Sequence, residues 1–534
     1  MARINLSNWV WQPVHHVLIA AYPILFLVSI NLGEVDPREA FLPTVASIGI
    51  AIALFVVLHL VGLPARRSAL VVSVLAVVFF MFGHVAGALE PMGLTGWPLL
   101  AGWLVAGVVL IGVVLVVPGD LRAPTGLLNI VSGILVAFAL ASVAEHVLTE
   151  PDLWVGGQQV AAAGSEATPP PPRDGAQPRD IYYLMVEDYG APRNLIEHLD
   201  VPDDGIYDWL ADAGFTVLRD TRSNYGRTPL SVASSMNMIY LDELAAEMGP
   251  DEPSHRPLDR MVRNAEVVSF LKDRGYSYVL LGSQYYLTDN SEMADVNPIF
   301  AQTSDFLAVL SESTILPSIA NLLGAEDELS DRRRVYDAAV WGLDTFPELV
   351  ELPGPKFVFL HLYLPHPPWV VGEDGEYVTR EADEERSWTE RYRSQWSFVR
   401  GQMKALIEGL LDGPDETRPI IIYTTDEGPN PRGMPEVEGN IDWSNATDEQ
   451  LDLKLSIFTA YHLPGVSDDC LYPGMSSVNT FRLVFNLYFD AGLPLLADRN
   501  YIHRDRSHPY DLTDVTDRLS AESAGSDTPR TCDS

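Results

Sequence analysis

The chain has 534 residues, 47% hydrophobic and 20% charged, and its 72 acidic against 35 basic side chains give a formal charge of -37. That balance excludes a nucleic-acid partner, because no basic stripe exists to neutralise phosphates. A mean hydropathy of +0.08 beside so much charge points to two solvents for one chain, a membrane part and an acidic aqueous part.

Five apolar runs fill the first part of the chain, at 14–32, 42–63, 69–89, 97–117 and 126–148. Each is near the length of about 20 residues that a helix needs to cross a bilayer. None ends in a small-residue cleavage site, so the runs read as a retained anchor over 1–149. Arg3, Arg66, Arg67 and Arg122 fall in the segments on one side, whereas the opposite loops set Arg38 against Glu34, Asp36, Glu39 and Glu90. By the positive-inside rule the N-terminus is cytoplasmic, and five crossings put the remainder outside the cytoplasmic membrane. His59, His84 and the Glu145–His146 pair, in or near the spans, read as hydrogen-bonding groups at helix ends or between helices.

Residues 150–179, with the run ATPPPPRDGAQPRD, read as a semi-rigid tether. From 180 to 512 the pattern is α/β. The runs 181–186, 278–282, 356–364 and 418–425 predict buried parallel strands, and 206–213, 263–274 and 392–411 predict crossover helices. Residues 513–534 read as a flexible tail. Cys470 and Cys532 lack CxxC spacing, which excludes a cysteine zinc site. They either form one disulfide outside the cell or stand as two thiols.

Sites in open α/β sheets form at the carboxyl ends of the strands. The first strand runs into Glu187-Asp188 and the fourth into Asp426-Glu427. Two such pairs can converge on a hard divalent cation, or each can be a solvated turn. In RSNYGRTPLSVASSMNMIYL (222–241) Thr228 stands at a helix start. There it is either a cap or a nucleophile, with Ser223, Ser231, Ser234 and Ser235 as alternatives. Arg227 beside it, and His366 and Trp369 in HLYLPHPPWV, are candidate substrate-binding residues. His366 is also a candidate proton donor. His361 and His462 read as structural.

These segments, in this order, resemble the sulfatase-like members of the alkaline phosphatase superfamily: DIYYLMVEDYG, SNYGRTPLSVASSMNM, FVFLHLYLPHPPWV, IIIYTTDEGP and SSVNTFRLVFNLYF. The branch they resemble is that of membrane-anchored bacterial proteins related to lipoteichoic acid synthases and phosphoethanolamine transferases. The resemblance implies Glu187 as the first metal carboxylate, with Asp188 as its possible replacement or outer neighbour. It implies Thr228 as a metal-coordinated nucleophile, and His366 as the contact to the transferred or leaving group. Asp426 falls at the aspartate of an Asp-His-Gly metal motif, whose histidine is Glu427 here. A set of Glu187, Thr228, Asp426 and Glu427 has only oxygen ligands, which favours Mn, Mg or Ca over Zn. Alternatively, Glu427 marks a domain that keeps the fold without catalysis. No C/S-x-P-x-R sequence for formylglycine is present, which disfavours an arylsulfatase of that type.

The expectation is therefore a five-helix transmembrane domain followed by an α/β alkaline-phosphatase/sulfatase-like domain. It would be a metal-dependent enzyme that transfers or hydrolyses a phosphate ester, with membrane lipid and an envelope lipid or glycan as partners. A sulfuric-ester hydrolase without formylglycine and a non-catalytic envelope protein are the rivals.

Overall fold

A computed structural model describes residues 12–32, 37–89, 92–149, 178–202, 205–283, 285–300, 305–323, 331–431, 441–466 and 471–519. Cys470 and Cys532, the tether over 150–177, the tail from 520, and the loop charges Arg3, Glu34, Asp36 and Glu90 lie outside the described residues. The chain forms two units, Met1–Ala161 with Gln302–Asp331, and Ala162–Ala301 with Arg332–Ser534.

The first unit holds helices α1 (His15–Ile30), α2 (Phe41–Leu60), α3 (Ala65–Phe80), α4 (Phe82–Leu89), α5 (Gly96–Val116) and α6 (Arg122–Thr149). Among the described residues, three segments are long and apolar enough to cross a membrane: Pro37–Leu60, Gly96–Val116 and Arg122–Glu145. α3 and α4 make a fourth if a pair bent by 45° counts as one span. The fifth expected crossing is not borne out by length. α1 has 16 residues, about 24 Å of helix against a hydrocarbon core of roughly 30 Å. Its start is set by Asn129 of α6, whose Oδ1 accepts from the backbone N–H groups of Val14 and His15 at 3.3 and 2.9 Å. The opposite chemistry closes α5, where the Arg67 guanidinium donates to the carbonyls of Val114 and Val117 at 2.6 and 2.7 Å. Leu42, Ile50, Val108, Val116 and Phe138 are exposed on these helices, as lipid-facing side chains are.

Residues 302–331, expected inside the 180–512 domain, fall with the helices instead. The helices Asp305–Ser313 and Leu316–Leu322 carry the apolar side chains that explain it. Phe306 and Leu310 join Ile24, Val28, Ala40 and Phe80 in one cluster, and Ile315 joins Phe82 and Leu100 in another.

The second unit is built on a six-stranded sheet, order β2-β6-β5-β1-β4-β3. Its strands are β1 (Ile181–Val186), β2 (Thr216–Arg222), β3 (Ser277–Leu281), β4 (Lys356–Leu362), β5 (Ile420–Thr425) and β6 (Ser456–His462). The four predicted strands are β1, β3, β4 and β5, and they pair in parallel. β2 and β6 escaped prediction; β6 runs antiparallel to both β5 and β2. β2 reads TVLRDTR, too charged to look like a buried strand.

Alternation sorts β1 between two faces. Ile181, Tyr183 and Met185 pack with Leu230 and Met236 of the helix Thr228–Asn237, with Leu271, and with Phe481. Tyr182, Leu184 and Val186 pack with Leu210, Phe346, and Trp396 of the helix Trp388–Leu411. A two-stranded sheet of β7 (Tyr501–His503) and β8 (Leu512–Asp514) and the helix Thr516–Leu519 carry the folded part past the expected boundary at 512. Val515 and Leu519 are held there by burial beside Trp443 and Ile502.

Lys356, at the start of β4, is 2% exposed. Its Nζ donates to Asp180 at 2.7 Å and to the carbonyls of Val350 and Leu352 at 3.0 and 2.8 Å. Lys356→Met strips these acceptors of their donor and should cost about 1–3 kcal/mol. The measurement is the shift in denaturation midpoint of the full chain in detergent.

Candidate catalytic centre

The central strand β1 lies between β4 and β5, so its carboxyl end meets both of theirs. The Glu187 N–H donates to the carbonyls of Leu362 and Leu364 at 3.2 and 3.1 Å, which locks the exit of β1 onto β4. On the other side Thr425 Oγ1 accepts from the Tyr189 N–H at 3.2 Å and donates to the Glu427 carbonyl at 2.9 Å. Two separate turns thus place Glu187, Asp188, Asp426 and Glu427 together, each no more than 2% exposed.

The contacts divide these carboxylates into two pairs. Glu187 and Asp426 continue the strand parity that faces the helix Thr228–Asn237. Thr228 Oγ1 donates to Glu187 Oε2 at 3.2 Å. His361 of β4 shares that parity, and its Nε2 stands 2.7 Å from Glu187 Oε1. Glu187 Oε1, His361 Nε2 and Asp426 Oδ2 are buried without a hydrogen bond of good geometry. The far side of the ring is fixed by Thr288, whose Oγ1 lies 2.7 Å from Nδ1. Thr288 itself is placed by a close backbone approach, since a Cβ on Gly282 would fall 1.5 Å from the Thr288 carbonyl oxygen.

Asp188 and Glu427 instead meet Lys454, at 3.5 and 2.8 Å from its Nζ. Lys454 is 1% exposed, near the end of the helix Asp448–Leu455. Gly428 brings that helix end to the site. Its N–H donates to the Lys454 carbonyl at 2.8 Å, and a Cβ there would sit 2.1 Å from the Leu453 carbonyl oxygen.

Electrostatics follow from burial. Glu187 is held well above the usual carboxylate range by desolvation first, then by the charges of Asp188 and Glu427. Asp426 is raised likewise by desolvation, then by Glu187 and Asp188. His361 is pushed down to about 4 by burial, so its ring is neutral at pH 7. Four carboxylates therefore share Lys454 and a neutral imidazole, an excess of negative charge that favours either protons or a cation.

The other expected site residues stand apart from this group. Arg227 is buried, its Nη1 3.0 Å from His255 Nε2 and 3.4 Å from the Arg506 carbonyl. His366 is half-buried, its ring centroid 4.4 Å from that of Tyr363. Trp369, expected to bind substrate, is 2% exposed and stands edge-to-face with Trp388. Ser223 and Ser231 bond each other at 2.8 Å, and Ser234 bonds the Ile239 carbonyl. Ser235 donates to the Val232 carbonyl. His462 is structural as expected, bonded to the Pro419 carbonyl at 2.9 Å. His361, Thr288 and Lys454 were missed. The parity of β4 was the available signal for His361, since 357, 359 and 361 alternate in step with 181, 183, 185 and 187.

No protein-family model matches the sequence, and no curated protein matches it. Solved structures do resemble it. The C-terminal periplasmic domain of EptC from Escherichia coli is 14% identical with a TM-score of 0.40, covering 65% of this chain and 96% of that one. Lipooligosaccharide phosphoethanolamine transferase A from Neisseria meningitidis, an integral membrane protein, is 13% identical with a TM-score of 0.37, covering 90% and 94%. Phosphonate monoester hydrolase of Agrobacterium radiobacter is 12% identical with a TM-score of 0.39, covering 58% and 73%. Phosphoethanolamine transferases, a phosphonate monoester hydrolase and a sulfatase thus stand among the similar structures. At these identities and scores the likeness assigns this chain no activity.

Removing Lys454 leaves Glu427 without its buried ammonium. Lys454→Met should destabilise the full chain by about 3–5 kcal/mol. Glu427→Gln in the same chain should recover most of the loss in a double-mutant thermal-denaturation cycle.

Proposed function

We propose that the chain is a membrane-anchored enzyme that transfers or hydrolyses a phosphate-ester group through Thr228, with one divalent cation. The observation that carries this reading is the Thr228 hydroxyl. It stands at a helix N-terminus, 3.2 Å from a carboxylate at the end of the central strand, where helical N–H groups favour an anion.

The donors fit a divalent cation in type and charge: Glu187 Oε1, Asp426 Oδ2 and His361 Nε2 are buried without hydrogen-bond partners, beside the Thr228 hydroxyl. They are not drawn into a finished coordination group. Among the described residues, no three His, Cys, Asp or Glu side chains are arranged to hold a metal. In this reading His361 supplies a nitrogen donor beside the expected oxygens, and Glu427, paired through Oε1 with Lys454 at 2.8 Å, stands outside the set. With nitrogen among the donors, Zn joins Mn, Mg and Ca as a candidate. Such an ion supplies the positive charge that an anionic ester needs in a pocket of four carboxylates.

The chain's own groups account for the rest. Thr228 Oγ attacks phosphorus in line, its proton passes to Glu187 Oε2, and the bond from phosphorus to the leaving oxygen breaks. His366, between Pro365 and Pro367, is the candidate donor to that leaving oxygen. Water or an acceptor hydroxyl then displaces Thr228 from phosphorus, and Thr228 recovers a proton. A lipid-borne donor and an envelope lipid or glycan acceptor suit the anchor, which raises their effective concentration. The orientation that accompanies this function, N-terminus cytoplasmic and α/β unit outside, counts α1 as a crossing.

The ion pair of Lys454 with Glu427 favours a second reading, a fold retained for binding without a metal. Turnover by the full chain in detergent decides between them, with a phosphodiester and an aryl sulfate tested under Mn, Mg, Ca and Zn. Metal-dependent phosphodiester turnover is expected, falling to background in Thr228→Ala. Aryl sulfate turnover alone would indicate a sulfuric-ester hydrolase, and no turnover with no metal bound would indicate the binding protein. Thr288→Val, which frees the His361 ring, should weaken metal binding about 10–100-fold in calorimetric titration.

A further inference from the structure

We infer that the insert bearing the helices Asp305–Ser313 and Leu316–Leu322 lies in the lipid–water interface, its outer face seated in the membrane that the first unit spans. The inference rests on the reading of that unit as membrane-embedded. It goes beyond the proposed chemistry and does not depend on it.

The inner side of the insert is fastened to the spans. Phe306, Leu310, Ile315 and Ala320 are buried, and the Ile315 N–H donates to the Phe79 carbonyl at 2.9 Å, at the break between α3 and α4. Gly83 admits the insert's backbone to that break, because a Cβ there would fall 2.1 Å from the Glu312 carbonyl oxygen. The insert is therefore a seated element of the helical unit.

Its outer side is apolar and unspent. Leu316, Ile319, Leu322 and Leu323 are 48%, 38%, 67% and 75% exposed, at spacings that put them along one helical face. Ile315, one residue before this helix, packs on Leu100 near the start of α5. The same end of α5 presents Leu94 and Trp97, also exposed. The face thus continues the lipid-facing surface of a span, with a tryptophan at the level where interfacial aromatics collect. Residues 305–323 contain Asp305 and Glu312 but no lysine or arginine. The attraction is therefore one of apolar area, not of charge to anionic lipid.

Spin labels on the full chain in vesicles test this, in a background with Cys470→Ser and Cys532→Ser. Labels go at Ile319→Cys and Leu323→Cys, at Val108→Cys within α5, and at Glu408→Cys on the α/β unit. Relaxation by oxygen and by a water-soluble nickel complex should place positions 319 and 323 about 5–10 Å below the headgroup level. That depth should be unchanged by salt or by anionic lipid. Gly83→Leu should return position 319 to water while position 108 keeps its depth. Water-like relaxation at 319 with 108 in the bilayer would overturn the inference. Shielding of 319 from both relaxants would overturn it in favour of a protein partner. Water-like relaxation at 108 would instead sink the membrane reading on which the inference rests.

Discussion

Side chains alternate along a β-strand, and that alternation carries one residue past β1 and β5, to Glu187 and Asp426, before the backbone turns at Asp188 with a φ of 50°. At the carboxyl edge of this sheet it partitions four buried carboxylates. Glu187 and Asp426 fall on the side of the helix that begins at Thr228, where His361 also points. Asp188 and Glu427 fall to Lys454. Lys454 offsets one of the two charges of its pair, while Glu187 Oε1 and Asp426 Oδ2 are buried without hydrogen-bond partners. The site as a whole therefore keeps an excess of negative charge, which favours a cation or a proton.

Lys454 holds Glu427 through Oε1 at 2.8 Å, and Gly428 makes that possible by letting two backbones meet. Gly282 plays the matching part for the other pair, since it lets Thr288 approach and fix the ring of His361. Two glycines without chemistry of their own thus determine which groups reach the centre.

Much of this was legible in the sequence, for identifiable reasons. The parallel strands announced themselves because they are buried on both faces and so are continuously apolar. Glu187, Asp188, Asp426 and Glu427 were found because carboxylates directly after such runs are out of place. Lys454 was invisible, because a lone lysine before a strand looks like any exposed lysine. His361 was dismissed as structural because strand parity was not carried from β1 to β4. β2 was hidden by its arginines and aspartate, which an edge strand tolerates. The length of α1 was overestimated, because its N-terminal limit is set by Asn129, more than a hundred residues away. The helices at 305–322 were assigned by sequence order to the α/β domain, although their apolar faces belong with the spans.

That last feature changes what it takes to separate the two units. The polypeptide passes between them near 161, again near 301 and once more near 331, so the proline-rich stretch is not the sole leash. A protease that nicks the chain anywhere in 150–177 cannot shed the α/β unit, which stays covalently joined to residues seated among the helices. A recombinant fragment that begins after that stretch inherits the same attachment without its seat. Phe306, Leu310 and Ile315 would then face water, and such a fragment becomes a candidate for aggregation before its chemistry can be measured. A short polar loop replacing 302–331 removes the cause.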